Sequence, residues 1–172
     1  MRVSGKALRY EGAHDVNTDL IWPGKYTYLQ IPPEDMPQYA METFDPDFQE
    51  RSAARSILVV GRNFGCGSSR EQASECLKHS GIKAILACGF ARIFYRNSIN
   101  LGLPVIECPE AAERVQSDDA LEFDLEAGVL TLTPAEGSVQ TFSFAPYPAF
   151  VLELIRDGGL IEHICKQEAE AE

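Results

Sequence analysis

The sequence predicts an α/β fold, and three observations carry the prediction. Ile57-Leu58-Val59-Val60 is a continuous apolar run that opens into a glycine turn and then a helix-like stretch from Glu71 to His79. Ile82 to Ala87 is a second apolar run, so strand, helix and strand fit within about 30 residues, the length of a βαβ unit with a parallel crossover. From Ala120 onward the pattern changes to alternation. Leu121-Glu122-Phe123-Asp124-Leu125 and Val129-Leu130-Thr131-Leu132, joined by Glu126-Ala127-Gly128, read as an antiparallel hairpin. A parallel core followed by a β-rich C-terminal half is the expected plan.

In chain order, residues 1–12 alternate weakly through Val3, Ala7, Leu8 and Tyr10 and make an opening strand. Asp15 to Tyr26 is rich in Asn, Thr and Asp, whose side chains bond nearby backbone, and Pro23-Gly24 breaks the chain again; a surface loop with an Asx-turn is expected. Tyr26 to Pro37 holds three prolines and no periodicity, which predicts an extended, mobile connection of the kind that carries specificity. A short helix is expected at Pro37 to Glu42, and an irregular polar stretch from Thr43 to Ala54. After the glycine turn, both Ser68-Ser69-Arg70-Glu71 and Ser69-Arg70-Glu71-Gln72 fit a capping box. The helix they would start buries Ala73, Cys76 and Leu77 and stops at Ser80-Gly81. Phe90 to Asn100 is a second helix, with Arg92 and Arg96 on one face. Leu103 to Glu107 forms a third strand that begins where proline's missing N–H is tolerated. Pro109 to Ser117 is a short helix, Thr141 to Phe144 a further strand, and Ala149 to Arg156 a closing helix ended by Gly158-Gly159. Leu160 to Ile164 adds one turn. The chain divides into a single domain, 1–166, and an acidic tail, 167–172.

Composition narrows the function. With 172 residues, 45% of them hydrophobic, there is ample material for one core. The net charge of −11 argues against nucleic acid as a partner, since that needs a basic footprint. No apolar run is long enough to span a membrane, and the first residues lack the apolar segment of a secretory signal, so a cytoplasmic protein is expected. Five cysteines, an odd number with no Cys-x-x-Cys spacing, and three scattered histidines predict reduced thiols and no metal bound by this chain.

Gly61-Arg62-Asn63-Phe64-Gly65-Cys66-Gly67-Ser68-Ser69-Arg70 is where chemistry concentrates. Strand, glycine turn and helix start together present backbone N–H groups to an anion. A nucleotide loop fits poorly, because Arg70 stands where a dinucleotide fingerprint has glycine and the loop contains no lysine. A cysteine nucleophile elbow fails at Phe64, two residues before Cys66, where a small residue is required. The remaining reading is a carboxylate site. Arg70 can grip a carboxylate through two parallel hydrogen bonds. A serine beside helix-start N–H groups can act as a base toward carbon, with the arginine stabilising the charge that develops. Simple helix capping by Ser68 or Ser69 stands beside it as the plainer use of the same residues.

The block Gly61 to Ala73 resembles the signature of the small subunits of 3-isopropylmalate dehydratase and homoaconitase, and of the fourth, swivelling domain of aconitase. Asn17-Thr18-Asp19-Leu20-Ile21-Trp22-Pro23-Gly24-Lys25-Tyr26 and Phe90-Ala91-Arg92-Ile93-Phe94-Tyr95-Arg96-Asn97 agree with that family in order and spacing. The resemblance implies a β/β/α swivelling domain and a hydro-lyase that dehydrates and rehydrates a hydroxy di- or tricarboxylate. It implies Ser68 as catalytic base, Ser69 and Arg70 as carboxylate ligands, and Asp19 facing the site. The 4Fe–4S cluster that serves as Lewis acid would sit on a separate large subunit, in a heterodimer or heterotetramer, leaving this chain inert alone. Residues just past the Pro-Gly-x-Tyr turn, here Thr27, Tyr28, Leu29 and Gln30, would contact the variable arm of the substrate. They contain no arginine, which favours an apolar arm, as in 3-isopropylmalate of leucine biosynthesis or dimethylmalate, over homoaconitate; Lys25 is the one nearby charge. A 2-methylcitrate-type substrate, or a non-catalytic small-acid-binding module, is the alternative.

Overall fold

The computed structural model of the chain describes residues 1–170. Among them one seven-stranded sheet runs in the order β4-β3-β2-β1-β5-β6-β7. The chain enters through β1 (Arg2–Arg9) and passes α1 (Thr18–Ile21), two 3₁₀ turns (Gly24–Tyr26 and Pro33–Tyr39) and α2 (Phe48–Ser52) to β2 (Ile57–Val60). Then α3 (Gln72–His79), β3 (Ala84–Ala87), α4 (Arg92–Asn100), β4 (Val105–Glu107) and α5 (Pro109–Arg114) complete the parallel half. The hairpin of β5 (Ala120–Asp124) and β6 (Val129–Thr133), then β7 (Gln140–Ser143), add the antiparallel half, and α6 (Ala149–Asp157) and α7 (Leu160–Glu170) close the fold. None of the described helices is long and apolar enough to cross a membrane.

Strand β1 joins the two halves. Its C-terminal part pairs parallel with β2, Ala7 opposite Ile57, and its N-terminal part antiparallel with β5, Val3 opposite Phe123. All four residues of β2 and of β3 are buried, as expected for parallel strands covered on both faces. The two-residue period returns in β5 and β6, where Leu121, Phe123, Leu130 and Leu132 point into the core. Edge strand β4 is protected by Tyr147, whose hydroxyl donates to the Val105 carbonyl (2.6 Å) and accepts from the Val105 N–H (2.9 Å).

Several local expectations need correcting. The connection after Tyr26 is not extended throughout: the expected helix at Pro37 to Glu42 is a 3₁₀ turn that begins earlier, at Pro33. This turn packs on α3 with Met36 buried, and the Tyr39 ring lies 4.5 Å from that of Tyr26. The stretch 15–26 carries the Asx-turn, with the Asn17 side chain accepting from the N–H groups of Asp19 and Leu20. It is no surface loop, however, because Thr18, Ile21 and Trp22 are buried. Thr43 to Ala54, expected to be irregular, contains α2, anchored by buried Phe48. Beyond Leu160 the chain forms three turns rather than one. Good helix formers occupy the segment, and Asp157 receives both Lys166 (2.7 Å) and His163 (2.6 Å). Thus α7 runs without a break across residue 166 to Glu170; the last two residues of the tail lie outside the described residues.

Candidate active site

The loops that leave β1, β2 and β3 emerge at the same end of the parallel half, where α/β sheets place their ligands. Two isolated bridges, Asn17 with Cys66 and Phe64 with Phe90, continue the pairing past the strand ends and hold the three loops together. The glycine turn lies between the other two. Gly65 has φ +77°, and a Cβ there would run into the Phe94 ring, so only glycine lets the turn close over α4.

No capping box forms. The N-cap of α3 is Glu71, already helical and without a side-chain cap. Ser68 instead sits within the turn, its Oγ accepting from the Arg70 N–H at 3.3 Å. The hub of the site is Thr18, which is buried. Its Oγ1 accepts from the Ser68 N–H (3.1 Å) and from Arg70 Nη2 (3.2 Å), while its own N–H donates to the Cys66 carbonyl (2.8 Å). The Arg70 side chain is only 13% exposed; Nη2 also donates to Asp19 Oδ1 (2.6 Å), Nη1 donates to Thr27 Oγ1 (3.1 Å), and Nε is buried without a partner. The guanidinium therefore presents no free fork in this arrangement. Asp19, the one anionic partner, is 65% exposed and so lies on the solvent side of the largely buried guanidinium.

Of the residues expected at the site, the structure brings Ser68, Arg70, Asp19 and Thr27 together. Ser69 is exposed beside them, its carbonyl accepting from Asn97 Nδ2 (3.1 Å). Lys25 is turned elsewhere: its ammonium contacts Glu42 Oε1 at 2.5 Å and lies over the Tyr26 ring. Tyr28, Leu29 and Gln30 are exposed, with Tyr28 almost wholly so. Ser68 opens on a cleft of about 470 Å³ whose far wall is the start of α4, with Asn63, Gly67, Arg92, Ile93 and Arg96 in its lining. Neither Thr18 nor Arg92 and Arg96 is marked by the sequence as part of the site. Thr18 lies within the Asn17 to Tyr26 block and the arginines on one helix face, but only the tertiary contacts join them to Ser68.

The cysteines have other surroundings. Burial pushes the Cys76 and Cys88 thiols up, away from the reactive thiolate, and all five cysteines are unpaired thiols. Among the described residues no group of three or more His, Cys, Asp or Glu is placed to hold a metal ion, so these side chains do not fit an iron–sulfur cluster.

The profile of the aconitase C-terminal domain matches residues 12–111, which include every residue of this site. The chain belongs to the aconitase C-terminal domain family. Relatives extend the likeness to nearly the whole length. The 3-isopropylmalate dehydratase small subunit of Halothermothrix orenii is 40% identical over 95% of this chain and 96% of its own. That of Methanosarcina acetivorans is 41% identical over 98% and 99%. The 2,3-dimethylmalate dehydratase small subunit of Eubacterium barkeri is 42% identical over 95% and 97%. A crystal structure of the 3-isopropylmalate dehydratase of Methanocaldococcus jannaschii superposes with a TM-score of 0.83 at 34% identity, covering 99% of this chain and 98% of that one. The aconitase C-terminal fold is thus the swivelling-domain architecture expected from the three sequence blocks.

Proposed function

We propose that the chain is the small subunit of a 3-isopropylmalate dehydratase and supplies the proton-transfer half of a shared active site. The observation that carries this reading is the end-to-end similarity to small subunits of that name. The site geometry supports it. Isomerising an isopropylmalate requires a proton to leave the carbon next to a carboxylate and hydroxyl to leave the neighbouring carbon; water then adds back in the opposite sense. Ser68 Oγ takes and returns that proton. The Arg70 N–H bonded to this oxygen favours its charged form, and a hydrogen bond to the charged form is one of the ways a basic group is tuned. The Arg70 guanidinium, held by Thr18 and Thr27, receives a substrate carboxylate when Asp19 yields, with Ser69 alongside. Thr27 to Gln30 border the variable arm. The partner is an iron–sulfur large subunit, whose 4Fe–4S cluster supplies Lewis acidity toward the leaving hydroxyl; this chain's residues handle proton and carboxylate.

The test is reconstitution. Chain and a 3-isopropylmalate dehydratase large subunit, each purified, are assayed apart and mixed. Turnover only in the mixture is expected; an inert mixture, or full turnover by the chain alone, overturns the reading. The Eubacterium barkeri relative supports 2,3-dimethylmalate as a second substrate with a similarly apolar arm, and kcat/KM for the two acids in the mixture ranks them.

A further inference from the structure

The chain carries a net charge of −11, and five of its ten arginines sit on acids. Arg2 pairs with Glu122, Arg51 with Asp45, Arg55 with Asp118, Arg62 with Asp15 and Arg70 with Asp19. Of the other five, Arg9, Arg114 and Arg156 lie away from the site, whereas Arg92 and Arg96 share one cleft with Ser68. Both are exposed, both line the Ser68 cleft, and among the described residues neither forms an ion pair. They lie four residues apart on α4, so their like charges disfavour each other unless an anion joins them. The nearby Glu107 carboxylate is turned to the Phe90 N–H (3.1 Å).

Their placement is rigid. The opposite face of α4 is buried through Phe94, Ser98 and Ile99, with the Phe94 ring 5.2 Å from Phe64 of the glycine turn and Ser98 Oγ bonded to Ser74 Oγ of α3 (3.0 Å). Asn97 ties the same helix to the Ser69 carbonyl. The arginines and Ser68 are therefore parts of one body, on two sides of one cleft. A malate-type substrate has two carboxylates, and Arg70, already bonded to three side chains, is placed for one of them.

We propose that Arg92 and Arg96 form the subsite for the second carboxylate of the dicarboxylate substrate, across the cleft from Ser68. This rests on the reading of the chain as a dehydratase small subunit. The subsite orients the substrate so that the carbon bearing the proton, between the two anchored carboxylates, faces the serine. Guanidinium groups suit this task because they bind carboxylates in a fixed plane.

The experiment uses the reconstituted two-subunit enzyme with the double variant Arg92→Gln/Arg96→Gln. Losing these contacts is expected to raise KM for 3-isopropylmalate about tenfold or more and to lower kcat as well, because the proton-bearing carbon is no longer held toward Ser68. A second readout compares two inhibitors, the dicarboxylate 2-isopropylsuccinate, which is isopropylmalate without its hydroxyl, and the monocarboxylate 2-hydroxy-4-methylpentanoate. The wild type should prefer the dicarboxylate, and the double variant should lose that preference while binding the monocarboxylate as before. Unchanged KM and unchanged preference in an active enzyme overturn the subsite alone. A KM rise that disappears when excess large subunit is added also overturns it, since the arginines then serve subunit docking. A wild-type mixture with no isopropylmalate turnover overturns both the subsite and the function it rests on. Should the glutamines impair folding, Arg92→Lys/Arg96→Lys keeps the charge and removes the fork; it is expected to raise KM less than the glutamines do, and an unaltered KM there overturns the fork-based assignment.

Discussion

The two halves of the sheet share strand β1 and differ in almost everything else. In the parallel half, β2 and β3 are buried along their whole length, and the loops that leave β1, β2 and β3 build the site. In the antiparallel half, β5 and β6 alternate buried and exposed positions, and none of the residues assembled around Ser68 comes from them. Parallel strands bring all their C-terminal ends to one side, so loops distant in sequence converge there. An antiparallel meander alternates its ends and gathers nothing. One half builds the chemistry; the other contributes core.

This contrast can be tested by separating rate from stability. The largest effect is expected from Ser68→Ala in the reconstituted enzyme: a loss of about 3–5 kcal/mol in transition-state stabilisation, read in kcat, with the melting temperature barely moved. A rate near wild type would remove Ser68 as the base. In the antiparallel half the reverse is expected. Leu130 is fully buried opposite Phe123 and Phe142, and Leu130→Ala should cost about 3 kcal/mol in denaturant unfolding, while kcat of the assembled folded fraction stays the same. A loss of kcat there would mean that the halves are coupled more tightly than the topology implies. Arg70→Lys should touch both quantities, because a point charge cannot span Thr18, Thr27 and Asp19 together; about 2 kcal/mol in kcat/KM is expected, with a smaller loss of stability.

The smallest effect lies outside both halves, where α6 meets α7. The hydrogen bond from His163, with that from Lys166, holds the Asp157 carboxyl below the usual carboxylate range. A lowered folded-state value means that the stabilisation is complete above the unfolded carboxylate's range and is lost as pH falls through the folded one. Amide exchange in α7 should therefore rise on acidification within that window, and Asp157→Asn should abolish the acid-dependent increment. An increment that persists in the variant would assign it to another carboxylate.

Much of this was legible in the chain, for reasons that differ by segment. Ile57–Val60 and Ala84–Ala87 read as buried strands because an uninterrupted apolar run of that length has few other uses, and Leu121 to Leu132 read as a hairpin because alternation matches the pleat. The stretch 26–42 departs from the expected extended connection because its three prolines exclude regular strand and helix yet permit 3₁₀ turns, and burial of Met36 against α3 selects them. The capping box does not form because spacing shows only that a serine can reach a helix N–H, while Thr18, fifty residues earlier, occupies the Ser68 N–H.

The sequence by itself determined the strand and helix order, the glycine-serine-arginine turn and the family resemblance, since these depend on residue types at short separations. Only the tertiary structure decided that Arg70 is already held by Thr18, Asp19 and Thr27, that Lys25 is turned to Glu42, and that Arg92 and Arg96 face the serine's cleft. Those facts depend on which loops the parallel crossovers deliver to the same end of the sheet, and on which charges packing leaves without a partner. Local spacing carries no record of either.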